Sequence, residues 1–233
     1  MKPQSIRSFW RVVLASLFLA GAVSGCSEIP IPLPFAPTPL PPNVLLYDNV
    51  PISLTIKTGT LLLGTSIAYQ GKTETGQAKI LITGLVAPKQ VADTVDWQGT
   101  PVPDVNLKLT TRVASFDEQA VTLAGTAHIE IANVTIQPGG TSGTPQLEFN
   151  APITLSLKKD EPIPGTKMAY AGATPNGAQF LGLEDYPYRK QFDSLQYVGR
   201  LNPKVFLRLD LRIVSFSETG VVLGGTAKIT IEQ

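Results

Sequence analysis

Apolar and polar residues alternate with a period of two from position 105 to 116. Val105, Leu107, Leu109 and Val113 share one parity; Asn106, Lys108, Thr110 and Arg112 share the other. That alternation predicts a half-buried strand. Positions 120–131 predict its returning partner, with Val121, Leu123, Ala127, Ile129 and Ile131 inward and Thr122, Thr126, His128 and Glu130 outward. Gly125 falls on the inward parity, where it leaves room for a bulge or for close approach by another strand. The stretch 112–131 recurs at 212–231, one hundred positions on, and the strand leading into it repeats the alternation: Val205, Leu207, Leu209, Leu211 and Ile213 face in, and Arg208, Asp210 and Arg212 face out. Between 121–131 and 221–231, seven of eleven residues are identical.

The self-similarity reaches further back. Asn49, Pro51, Ile52, Leu54 and Lys57 reappear as Asn150, Pro152, Ile153, Leu155 and Lys158. Gly64, Thr65, Ala68, Tyr69 and Gly71 reappear as Gly165, Thr166, Ala169, Tyr170 and Gly172. The expectation is an all-β protein of two tandem homologous β-sandwich-like or small-barrel modules, at 44–134 and 145–233, arising from an internal duplication. The segment 135–144 reads as a Gly/Ser/Pro linker, which favours two domains over one merged sandwich.

Composition narrows the class. The 233 residues are 43% hydrophobic and 16% charged, with 20 Gly and 20 Pro, so an apolar core is possible and long helices are not expected. The formal charge is +1, which provides no footprint for nucleic acid. There is one cysteine, Cys26, so neither an internal disulfide nor a thiolate metal site is available.

The first 26 residues carry their own pattern. Lys2, Arg7 and Arg11 precede an apolar run at 12–23, which ends in Val23-Ser24-Gly25-Cys26. The run suits a signal h-region and is too short to span a bilayer. Basic start, apolar run and small-small-Cys together resemble the lipobox signal of bacterial lipoproteins. The resemblance implies removal of 1–25, acylation of Cys26, and a bacterial cell-envelope location held by the N-terminal acyl chains. Ser27, in place of an Asp, favours the outer membrane by the same analogy. Residues 26–43 then read as the lipidated cysteine and a Pro-rich tether, since seven of the seventeen residues at 27–43 are proline. As polyproline II this spacer would reach about 50 Å; a Pro-rich ligand is the less favoured reading.

Chemistry is sparse. His128 is the only histidine, stands on an outward strand position and has Lys228 as its counterpart. No nucleophile elbow, phosphate loop or dinucleotide fingerprint occurs, and no catalytic residue, cofactor or metal is expected. Asp93 and Asp193 recur in both copies, which suits turn formation better than a carboxylate pair. Trp97 and Tyr197, like Tyr69 and Tyr170, are shared and read as packing groups. The copies differ most at 184–192, where the second holds Tyr186, Tyr188, Arg189 and Lys190 in a loop. Tyr and Arg concentrate binding energy at interfaces, so these four are the candidate binding residues, weighed evenly against a loop that covers its own core edge. The expected function is non-catalytic binding or scaffolding of an envelope protein or glycan partner. The alternatives are a carrier of a small apolar or sugar ligand, and then a carboxylate-based hydrolase.

Overall fold

The computed structural model describes residues 43–140 and 143–232. The signal segment, Cys26 and the tether up to residue 42 lie outside the described residues, as do Thr141, Ser142 and Gln233. Eight strands form the first half: β1 (Leu45–Lys57), β2 (Thr60–Leu61), β3 (Ile67–Lys72), β4 (Ala78–Ile82), β5 (Leu85–Lys89), β6 (Thr94–Gly99), β7 (Val105–Phe116) and β8 (Ala120–Ile131). Eight more follow: β9 (Gln137–Pro138), β10 (Pro145–Lys158), β11 (Ala169–Thr174), β12 (Gly177–Leu181), β13 (Tyr188–Arg189), β14 (Ser194–Asn202), β15 (Val205–Phe216) and β16 (Gly220–Glu232). Among the described residues there is no helix.

The strands form four antiparallel sheets. The first half has orders β1-β8-β7-β6 and β2-β3-β4-β5; the second has β10-β16-β15-β14-β9 and β11-β12-β13. Pro51 and Pro152 sit in β1 and β10, which end their sheets. An outermost strand is where a residue without an N–H is tolerated.

The inward parity read from the sequence is the buried one. Across β7 and β8, Val105 faces Ile131, Leu107 faces Ile129, Leu109 faces Ala127 and Val113 faces Leu123, and all eight are buried. Thr111 shares that parity and is also buried. Its hydroxyl donates to the Val95 carbonyl, as a buried hydroxyl must to avoid a desolvation cost.

Gly125 lies opposite Thr111 without a bulge. A methyl there would stand 2.1 Å from the Thr110 carbonyl oxygen, and one at Gly225 would stand 2.1 Å from that of Asp210. Close approach of the neighbouring strand therefore explains both glycines. Tyr69 and Tyr170 are fully buried and run from the small sheets to the large ones. Their hydroxyls donate to the Asp117 and Ser217 carbonyls, at the turns joining β7 to β8 and β15 to β16.

The described residues form one compact unit, and the buried side chains of both halves join in one hydrophobic cluster. β1 packs against β10. A Cβ placed on Gly64 would meet Gln146 of β10 at 3.2 Å, and one on Gly165 would meet Leu45 of β1 at 2.9 Å. Within the stretch expected as a linker, Gln137 and Pro138 pair with Arg200 and Gly199 at the margin of β14. The Thr135 N–H donates to the Leu201 carbonyl.

Candidate functional site

The four loop residues are brought to one place between β12 and β14. Gly182 opens the loop at φ 74°, and a Cβ there would lie 2.4 Å from the Lys167 carbonyl oxygen. β13 returns beside β12, with Tyr188 opposite Gln179 and Arg189 opposite Ala178. Asp193 closes the loop: its carboxylate accepts the Lys190 N–H at 2.7 Å. Asp93 does the same for the Gln90 N–H at 2.8 Å, so both recurrent aspartates are tied into turns.

Arg189 fastens this loop internally. Its side chain is only 13% exposed, and its Nη2 donates to both carboxylate oxygens of Asp185, at 2.7 and 2.8 Å. Further N–H groups donate to the carbonyls of Tyr186, Tyr188 and Ser194. A planar guanidinium suits this many fixed acceptors. Arg189 is thus a positioning residue for the loop. Asp185, which sequence reasoning left out, is its partner, and no regular periodicity in an irregular loop would have singled it out.

What the fastened loop presents is aromatic. Tyr186 is 62% exposed and does not cover the core. Tyr188 is half-buried, and the two rings meet edge-on with centroids 5.3 Å apart. Lys190 is exposed beside them.

Two clefts flank the Asp185–Arg189 pair, which lines both. One, of about 430 Å³, is bordered by Asn176, Tyr186, Tyr188 and Lys190. The other, of about 630 Å³, is bordered by Lys167, Leu183, Gln196, Tyr197 and Val198. Both volumes lie in the range of small-molecule sites. The Tyr197 ring lies across Gly199, and burial raises its phenol pKa. In the first half, Trp97 lies across Gly99 and its Nε1–H donates to Ser66 Oγ at 2.9 Å. Lys167 and Tyr197 replace that closed pair.

His128 stands on the outward face of β8 and pairs with Asp48 of β1, Nδ1 to Oδ1, at 3.0 Å. The hydrogen bond from His128, aided by the Asn49 N–H, holds the Asp48 carboxyl below the usual aspartate range. Lys228 makes the matching pair with Glu148 at 2.8 Å. Both pairs are exposed cross-strand contacts, worth at most about 1 kcal/mol. The first borders a polar hollow of about 520 Å³ with Gln98, Asn106, Lys108 and Glu130. Sequence reasoning placed His128 on the correct face but could not supply Asp48, whose position depends on the irregular register between Tyr47 and Val50.

Cys26 lies outside the described residues. No protein-family model, curated protein or solved structure matches the chain.

Proposed function

We propose that this protein is a lipid-anchored bacterial cell-envelope lipoprotein that acts as a non-catalytic binding module. Cys26 carries the acyl chains, the Pro-rich segment is the tether, and the loop at 184–190 is the binding surface. The observation that carries the reading is the Arg189 staple. It holds the loop rigid while leaving Tyr186 largely in solvent, and a preordered aromatic surface binds without a large ordering cost.

The folded part is best read as a tandem duplication. Its hydrogen bonds support this pair by pair. The Ala92 N–H donates to the Val113 carbonyl as Phe192 N–H does to Ile213. Thr65 Oγ1 donates to the Leu62 carbonyl as Thr166 Oγ1 does to Ile163. The junction is reciprocal: Gly64 faces Gln146 and Gly165 faces Leu45, each pair being the other shifted by 101 positions. Reciprocity of that kind characterises a twofold contact, here within one chain.

The second reading, a carrier of a small ligand, is favoured by the 630 Å³ cleft alone. It mixes the Tyr197 ring with the polar groups of Gln196 and Lys167.

The test is a photo-cross-linker placed at Tyr186 in intact cells, with one at exposed Val214 as the control. Adducts should form from position 186, vanish in Arg189→Ala, and be absent from 214. Equal adducts from both positions, or none from 186, defeat the binding-surface reading. Cys26→Ala should move the protein out of the membrane fraction.

A further inference from the structure

The two small sheets differ in one respect that the binding loop does not explain. In β2-β3-β4-β5, the register aligns Leu61 with Ala68, Ala68 with Leu81, and Leu81 with Val86. These four residues therefore form a row across all four strands. The row faces outward, because Ile67, Tyr69 and Ile80, on the opposite parity, are fully buried. Val86 is 54% exposed, Leu61 50% and Leu63 43%, whereas Leu85, 75% exposed at the β4–β5 turn, pairs with Ile82 on the other parity. The turn at Leu63 and the β4–β5 hairpin are tied together: the Thr83 N–H donates to the Ser66 carbonyl, and the two hydroxyls lie 3.3 Å apart. The contiguous apolar patch is the row Leu61, Ala68, Leu81 and Val86.

Charge sets this patch apart. Residues 58–71 and 80–88, which build it, contain no charged side chain. The matching segments of the second half, 159–172 and 180–188, hold Lys159, Asp160, Glu161, Lys167, Glu184 and Asp185. A solvated sheet face normally carries polar residues on its outward parity, and a contiguous exposed apolar patch marks an interaction surface. Lys79 flanks the row on the same outward face, opposite Pro88.

We infer that the outer face of the β2–β5 sheet is a membrane-contact patch that rests in the interfacial layer of a phospholipid bilayer. The inference rests on the lipid-anchored reading above for the nearness of the bilayer. Acylated Cys26 would leave residues 27–42 between the lipid and the described chain, a reach of about 50 Å at ~3.1 Å per residue. Tethering at that distance raises the local concentration of bilayer, so a few leucines suffice to hold the face down. The turns are prepared for partial dehydration. The Leu62 and Thr65 N–H groups donate to the Ile67 and Leu62 carbonyls, and Thr65 Oγ1 also bonds inward, so these polar groups need no water. Lys79 is placed to reach anionic headgroups at the rim of the patch. Orientation follows: with this face down, the outward face of β12 and the Tyr186 loop belong to the other half of the chain, free for a partner.

The experiment uses the full acylated chain, in which Val86→Cys supplies the only unmodified thiol. A polarity-sensitive dye is attached there, and on Leu181→Cys, on the outward parity of β12 in the second half. Each protein is reconstituted in vesicles of phosphatidylethanolamine and phosphatidylglycerol. A lipid-borne nitroxide should quench the dye at 86, and aqueous iodide should quench the dye at 181 about tenfold more efficiently than the dye at 86, a contrast set by burial at the interface. Equal iodide access at both positions overturns the proposal. Shielding of 86 from iodide without quenching by the nitroxide also overturns it, since protein and not lipid then covers the patch. If the chain is not acylated it stays in the supernatant, which defeats only the anchor reading. The same dyes are then read on that soluble protein with vesicles in excess, where a lack of contrast again overturns the patch.

Discussion

At the residue scale, the strongest constraints come from places where a side chain is forbidden. Gly125 and Gly225 were visible in the sequence as glycines on an inward parity, but two explanations stood open until the strand register excluded a bulge. A Cβ 2.1 Å from a ladder carbonyl cannot be relieved by a rotamer change, because both partners are backbone. Gly125→Ala and Gly225→Ala are each expected to cost about 3 kcal/mol, the upper range for overpacking. Gly59 makes the contrast: it has φ 76° and open space around its Cβ position, so Gly59→Ala should cost only about 1 kcal/mol through backbone conformation. Urea denaturation of the three variants gives the ranking, and equal losses would mean that the strand contact is not what fixes the glycines. Asp117 shows the limit of residue reading. No alternation singles it out, yet its Oδ1 accepts the N–H groups of Gln119 and Ala120 at 2.7 and 2.8 Å, which lowers its pKa.

At the element scale, alternation exposed the long strands, and the repeat exposed which short ones belonged together. Period-two patterning reports burial directly, so β7, β8, β15 and β16 were legible from Val, Leu and Ile alone. β9 was not: Gln137-Pro138 within a Gly-rich stretch has no strand signal, and it pairs only because β14 runs on to Asn202. The candidate site was legible only as a location, the place where the otherwise similar sequences of the two halves differ most. The roles inside it came from the folded loop, where Arg189 is spent on Asp185 and three carbonyls. This gives a prediction about order. Arg189→Lys keeps the charge but loses the planar guanidinium and most of its donors. Amide exchange at 183–190 should then rise about tenfold, equivalent to about 1.4 kcal/mol of local opening, while exchange in β15 and β16 stays unchanged. Exchange that remains slow in the loop would show that Tyr188 packing, not the arginine, holds it.

At the scale of the whole molecule, the open question from sequence was whether a flexible linker separates two bodies. The buried cluster runs through both halves, and their junction is built from turns that grip the first strand of the opposite half. Gly165 is the tighter of the two grips. A Cβ there would meet Leu207, Leu45 and Leu201 at 2.7, 2.9 and 3.1 Å, whereas at Gly64 the neighbours are Pro101 at 3.0 Å and the long side chain of Gln146 at 3.2 Å. Both glycines share φ 75°, so the backbone penalty for alanine is the same and cancels in comparison. The difference lies in what must move: Gln146 can swing its amide aside, but three packed leucines on three strands, β1, β14 and β15, cannot separate without opening the junction. Gly165→Ala should therefore be more destabilising than Gly64→Ala by about 1–2 kcal/mol. Because the junction belongs to both halves, the loss should appear throughout the fold. Trp97 fluorescence reports the first half and far-UV circular dichroism reports all the sheets; in Gly165→Ala both should shift together to lower denaturant, as one cooperative transition. A variant in which the Trp97 signal keeps its original midpoint while part of the circular dichroism is lost early would mean that the halves fold independently and that the junction adds contact without coupling.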